Sequence, residues 1–329
     1  MTALFGPTDA IDRAHALREA GASGVFTFEG PHDVFAPLTL ASTVGGLDLM
    51  TNVAIAFPRN PIQLAHQAID HQILSQGRFT LGLGTQIRTQ IEKRYGAQFD
   101  KPVARMVELV GALRAIFATW ESNGLDRLNF TGEFYRHTLM TPTFTPRDNP
   151  YGAPPIYVGA LGPRLTRATA EVADGLLIMP FGSKRFLHEA TLPIVEEGLA
   201  ASGRDRDGFA IVPEIIVSVG SEKDPDHTAT RRLLAFYGST PAYRPVLEVH
   251  GWGDLQPELN ALSKQGRWQD MGALIEDDVL HTIAACGTPA EVAAHIRDRV
   301  DGVAEDVCIY QPGPIEIDSL AQIVDALRT

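Results

Sequence analysis

The chain has 329 residues, 44% of them hydrophobic and 21% charged, with 30 Gly and 22 Pro, so it carries enough apolar side chain for a large folded core. Asp and Glu number 40 against 28 Lys and Arg, a formal charge of −12, and no stretch sets basic residues among aromatics, which argues against a nucleic-acid partner. No run of 18 apolar residues occurs, and residues 1–6 lack the basic and apolar segments of a secretory leader, so a cytoplasmic protein with no membrane contact is expected.

Short apolar or β-branched runs at 3–5, 24–28, 49–57 and 78–82 read as strands. They are separated by amphipathic helices over 9–21, 37–45 and 61–76, the last opened by Pro61 and stopped at Gly77. A long helix is predicted over 102–120. Residues 128–144 alternate like strands around Thr131-Gly132-Glu133 and read as an inserted hairpin or extended loop. The beat resumes with strands at 155–158, 175–179, 209–219 and 307–310, and helices over 163–172, 184–201, 225–237 and 318–327. Residues 241–278 are polar, contain Trp and Gly and show no strand, so they read as a mostly helical excursion.

Eight strands, each followed by a helix, make a (β/α)8 TIM barrel. A single domain over 1–329 is expected, with insertions at about 127–146 and 240–278. Cys286 and Cys308, in apolar surroundings and outside any C-x-x-C pair, read as small buried hydrophobes.

In this fold the working residues follow the C-terminal ends of the strands. Glu29, His32 and Asp33 after the second strand suit proton transfer or the orientation of a polar ring, with a solvated loop as the alternative. A metal shared with His66, His71 or His137 is disfavoured, because His66 and His71 stand five apart on a helix and do not share a face. Gly159-Ala160-Leu161-Gly162 before Pro163 is a small-residue turn at a helix N-terminus, and Gly182-Ser183-Lys184 follows the next strand. Neighbouring turns of this kind suit a phosphate-bearing ligand. His137, among Phe134, Tyr135 and Met140 of the insertion, either covers a bound substrate or is an ordinary surface histidine. Asp70 on the 61–76 helix reads as structural. Trp252 and Trp268 either line a pocket or anchor helices.

Ala20-Gly21-Ala22-Ser23-Gly24-Val25-Phe26, Arg59-Asn60-Pro61, the run Leu74 through Gly84, and Pro155 through Pro163 with Ala173-Asp174-Gly175 together resemble the landmarks of the luciferase-like monooxygenase superfamily. Residues 29–35, 132–142 and 175–181 are similar to its actinobacterial deazaflavin-dependent branch. The resemblance implies a barrel binding a flavin-like tricycle at the strand ends, with coenzyme F420 as cofactor, FMN as the alternative, a small-molecule substrate and a homodimer. It also implies a non-prolyl cis peptide at Asn52-Val53 backing the ring. Glu29 would reach the ring, Thr85 and Gln86 would flank its edge, and Gly159, Ala160, Leu161 and Gly162 would approach the phosphate. Gly182, Ser183 and Lys184 would complete the phosphate or tail site.

Sugar-phosphate dehydrogenases of the superfamily carry a histidine directly after the second-strand acid and a glutamate after the fourth strand. Here Gly30 and Ile87 stand at those places, so that activity is not implied. The proton donor is expected to be His32 first, Glu29 second and His137 third. Hydride exchange between a deazaflavin and an organic substrate is the leading expectation. An FMN-dependent monooxygenase is the second, and a cofactor-free barrel hydrolase or binding protein the third.

Overall fold

Parallel pairing runs from strand to strand until the last meets the first. The computed structural model describes residues 1–122, 125–147, 149–220, 224 and 226–328. Its strands are β1 (Thr2–Ala3), β2 (Gly24–Thr27), β3 (Asp48–Thr51), β4 (Ala54–Ile55), β5 (Phe79–Gly84), β6 (Phe130–Thr131), β7 (Arg136–His137), β8 (Ile156–Ala160), β9 (Gly175–Ile178), β10 (Ala210–Val219), β11 (Ala285–Gly287) and β12 (Cys308–Tyr310). The order β12-β1-β2-β3-β5-β8-β9-β10 closes where Glu214, Ile215 and Ile216 of β10 pair with Cys308, Ile309 and Tyr310 of β12. β3 and β4 are two pieces of one barrel strand, both paired with β5. The result is the closed eight-stranded parallel barrel that the βα rhythm predicts.

Both faces of such a sheet are covered, which is why its strands read as apolar runs. Ala3, Phe26, Met50, Leu177, Val212 and Cys308 fill the barrel axis. Val25, Leu49, Leu81, Val158, Ile215 and Ile309 belong to the larger core with the surrounding helices. The Pro61–Leu74 helix begins where Asn60 Oδ1 accepts the Ile62 N–H at 3.0 Å. Among the described residues no helix is long and apolar enough to cross a membrane.

Several elements differ from the sequence reading. The third strand is broken rather than continuous over 49–57, with the cis peptide at Asn52-Val53 between its halves. The 184–201 helix opens as Lys184–Phe186, widens to a π-turn over Leu187–Thr191 and resumes as Leu192–Ala201. Pro193, at the start of the last piece, has no N–H to give the ladder. Pro225 lies outside the described residues, and the helix expected over 225–237 is Thr228–Gly238. That helix packs with the excursion, on Leu255–Lys264 and Trp268–Ala273. The helix between β10 and β12 is instead Pro289–Val300, reached through the short strand β11. A capping box of Thr288 and Glu291, with Pro289 at the first position, starts it. Residues 88–93 also form a helix (Arg88–Lys93) that the sequence reading omitted.

The β6–β7 hairpin lies on the outside of the Pro102–Glu121 helix. Glu108 accepts the N–H groups of Glu133, Phe134 and Tyr135 at 2.6–2.8 Å, and farther along the helix Trp120 donates to Met140 Sδ at 3.3 Å. The start of this helix sits near the strand ends, where Arg105 donates to the Phe57 carbonyl just past β4. Arg105 also donates to Tyr135 Oη at 3.0 Å, so the hairpin is tied to both ends of this helix.

Candidate active site

The strand break is built from hydrogen bonds that replace the missing ladder. Thr51 Oγ1 donates to the Gly82 carbonyl at 2.7 Å and accepts the Gly82 N–H at 2.9 Å. The Asn52 N–H reaches Thr27 O at 2.6 Å, and chain pairing with β5 resumes at Ala54. Val53 then projects across two neighbouring strands. A Cβ on Gly84 would lie 2.3 Å from Val53 Cγ2, and one on Gly159 would lie 3.2 Å from Cγ1. Glycine at those places in Leu81-Gly82-Leu83-Gly84 and Val158-Gly159 is thus what lets the bulge sit inside the barrel mouth.

Glu29 holds the far side of this bulge. Its Oε2 accepts the Ile55 N–H at 2.9 Å and pairs with Arg59 at 2.6 Å, while its Oε1 accepts from Tyr95 Oη at 2.8 Å. The Glu29 side chain is 8% exposed and that of Arg59 17%. Burial, with the hydrogen bond to Glu29 next, pushes the Tyr95 hydroxyl up to about 12. Arg59 Nη1 also donates to the Ile55 carbonyl at 2.7 Å, so one arginine clamps both the strand and the carboxylate.

His32 stands exposed on the same rim, close over Gly6: a Cβ there would come within 2.9 Å of its ring. It makes no hydrogen bond with any described residue. Asp33 Oδ1 accepts the Phe35 and Ala36 N–H groups at 2.9 Å at the start of the next helix, and its Oδ2 lies 3.9 Å from Arg59 Nη2. His137 lies on β7 of the hairpin that packs on the Pro102–Glu121 helix. It faces Phe130 across the hairpin, and burial holds its imidazole below the usual value, with Nε2 buried and without a partner among the described residues.

Above the filled axis, the half-buried rings of Phe5, Phe28 and Tyr310 form an edge-to-face cluster, with Phe28 5.7 Å from Phe5 and 5.8 Å from Tyr310 between centroids. On the two strands flanking theirs, just past β3 and within β10, Asn52 Nδ2 donates to Glu214 Oε2 at 3.1 Å. After β5, Thr85 is half-buried and Gln86 takes a left-handed φ of 56°, its side chain accepting the Ile87 N–H.

Gly159 and Ala160 end β8, and Leu161 packs with the Phe181 cluster beside β9. Gly162 begins the Pro163–Val172 helix with open space where its Cβ would be. One strand further, Gly182 accepts from Arg299 at 3.2 Å, and Ser183 Oγ caps the Phe186 N–H and lies 2.8 Å from His250 Nε2. Lys184 pairs with Asp298 at 2.7 Å. Ser183, Lys184, His250, His281, His295 and Arg299 border a cavity of about 500 Å³. Burial lowers His295 to about 4 and Arg299 to about 10. Among the described residues, Arg299 Nε is buried without a partner.

Sequence reasoning located Ser183 and Lys184 but passed over Glu214, Tyr310, Tyr95 and the Arg299 of this cavity. A lone acid inside the apolar run 210–219 was the available signal for Glu214, since an ionisable group in a doubly covered strand is seldom accidental.

Comparison with known proteins accords with this geometry. An uncharacterized protein of Mycobacterium tuberculosis is 48% identical over 302 residues, covering 91% of this chain and 88% of that protein. The 5,10-methylenetetrahydromethanopterin reductase of Archaeoglobus fulgidus is 31% identical over 258 residues, 76% of this chain and 73% of that protein. The solved coenzyme F420 dependent tetrahydromethanopterin reductase of Methanopyrus kandleri superposes with a TM-score of 0.81 at 17% identity, over 99% of this chain and 97% of that one. The model of the luciferase-like monooxygenase family matches residues 2–306. With a match over nearly its whole length and the barrel to go with it, the chain belongs to the luciferase-like monooxygenase family.

Proposed function

We propose that this oxidoreductase exchanges hydride between the deazaflavin coenzyme F420 and a small organic substrate. The observation that carries the reading is the bulge at Asn52-Val53, held by Glu29, Arg59 and Thr51 and received by Gly84 and Gly159. It presents a fixed, largely apolar surface, with Val53 packed on the same axial cluster as the half-buried Phe5, Phe28 and Tyr310 rings. A fixed apolar platform of this kind suits one face of a flat tricycle. The coenzyme named for the Methanopyrus kandleri reductase favours a deazaflavin over FMN.

When bound, the cofactor supplies the hydride chemistry, and the protein supplies placement. In this reading Asn52 and Val53 back the ring, while Thr85 and Gln86 border its edge. The turn Gly159, Ala160, Leu161 and Gly162 offers N–H groups at a helix start for the phosphate. Gly182, Ser183 and Lys184, with the buried Arg299 in the cavity beside them, take the anionic remainder. His32, exposed and unbonded at the rim, moves the proton that accompanies hydride transfer. Glu29 is a positioning residue, because its carboxylate already holds Ile55, Arg59 and Tyr95.

Titration of the purified protein with F420 and, separately, with FMN tests the proposal, each followed by the cofactor's absorbance and fluorescence. Saturable binding of F420 with little affinity for FMN is expected. Preferred binding of FMN, with oxygen uptake when a substrate is added, would replace this reading by a flavin monooxygenase. Binding of neither would leave a barrel without redox cofactor.

A further inference from the structure

The floor of the mouth contains a carboxyl group for which the reading above has no use. Glu214 points inward from β10 and is 6% exposed. Its hydrogen bond among the described residues is the one from Asn52 Nδ2, and no Lys, Arg or His pairs with it. The other half of that amide is equally short of a partner. Asn52 is 3% exposed, its Oδ1 is buried with no hydrogen-bond partner assigned among the described residues, and the Cys308 thiol lies against the same amide. As a carboxylate, Glu214 could only accept, leaving both a buried charge and a buried acceptor uncompensated. As a carboxylic acid it has one acceptor and one donor, the complement of a primary amide.

We infer that Glu214 is held as the neutral acid and is a positioning residue, its O–H donating to Asn52 Oδ1 while its other oxygen accepts from Nδ2, so that the acid–amide pair fixes the residue on which the bulge turns. The inference rests on the proposed function only in taking Asn52-Val53 as the cofactor platform.

The surroundings agree. The titratable groups facing Glu214 are Tyr237 from the Thr228–Gly238 helix, Tyr243 from the start of the excursion, and Cys308 and Tyr310 from the neighbouring strand. All four are raised, by burial first and by Glu214 in addition, and none is a cation. Burial pushes Glu214 itself up to about 8, against a smaller opposing effect of the Asn52 hydrogen bond. Raising the pH through 8 therefore removes the donor to Asn52 and places an unpaired charge beneath the platform.

Glu214→Gln tests this directly, because the amide keeps one donor and one acceptor at every pH. In the cofactor-free protein, the difference infrared spectrum of wild type minus Glu214→Gln should show a protonated-carboxyl C=O band at pH 6.5 that disappears with a midpoint near pH 8. In parallel, F420 binding to the wild type should weaken about thirtyfold between pH 7 and pH 9.5, as expected if only the protonated form binds. Glu214→Gln should bind as the wild type does at pH 7 and lack this alkaline loss. Glu214→Leu, which removes both hydrogen bonds, should bind at least about tenfold more weakly throughout. A carboxylate band already dominant at pH 6.5, or an alkaline loss unchanged in Glu214→Gln, would overturn the inference. If the infrared midpoint is as stated but neither cofactor binds at any pH, the proposed function fails and the acid–amide pair stands.

Discussion

Glu29 and Glu214 face the same mouth from opposite walls, and their surroundings could hardly differ more. Glu29 receives an arginine, a backbone N–H and a tyrosine hydroxyl. Glu214 receives a single side-chain amide and is otherwise enclosed by tyrosines and a thiol. Burial penalises the charged form of both, but only Glu29 has a cation and enough donors to offset it. One wall is thus an ion-paired clamp and the other a neutral one, and a carboxyl's role in this site follows from its neighbours more than from its distance to the mouth.

The comparison is broken most severely by removing the clamp. Glu29→Ala strands Arg59, the Ile55 N–H and Tyr95 Oη, and should cost about 3–5 kcal/mol in urea unfolding together with cofactor binding. Gly84→Ala leaves both carboxyls in place but drives a methyl into Val53. A loss of about 1–3 kcal/mol and a clear drop in cofactor affinity are expected, and unchanged affinity would mean that the bulge is not the platform.

Glu214→Gln sharpens the contrast through pH. Because the folded-state value of Glu214 lies near 8, above the ordinary carboxyl range, the folded wild type binds more protons than the unfolded chain between about pH 4.5 and 8. Its stability therefore falls across that window and levels off above it. The Tm advantage of Glu214→Gln should grow from pH 5 to pH 8 and then stay constant. A difference independent of pH would place Glu214 among the ordinary carboxylates. His32→Ala touches neither wall, so its effect on stability should stay within about 0.5 kcal/mol. Turnover of any accepted substrate should nevertheless drop about 10²-fold or more.

The barrel was legible because its signal is local: apolar runs of strand length alternating with helical periodicity, punctuated by Pro61, Gly77 and Pro163. The seventh helix was missed although Thr288-Pro289-Ala290-Glu291 spells a capping box, because the strand before it has three residues and lies outside the eightfold count. At the site, Glu29 and Gly84 could be located as strand-end residues. That Glu29 is saturated depends on Arg59 and Tyr95 arriving from later segments. The Asn52–Glu214 contact joins positions 162 apart in the chain, and no spacing rule reaches that far. It exists only once β10 closes the ring. His137 shows the converse, a histidine among aromatics whose placement is decided by the helix its hairpin leans on.

β10 is ten residues long and is flanked in turn by β9, β12 and β11. The chain leaves its upper end at Gly220 and comes home to the same strand, where the Gly220 N–H meets the Gly287 carbonyl. Everything threaded between those two glycines is moored to one post. Lengthening or shortening it would not alter how the staves of the barrel meet, and the entropic toll of a longer loop grows only with the logarithm of its length. New substrates could be accommodated by rewriting that stretch alone, with Tyr237 and Tyr243 as the part of it already looking inward.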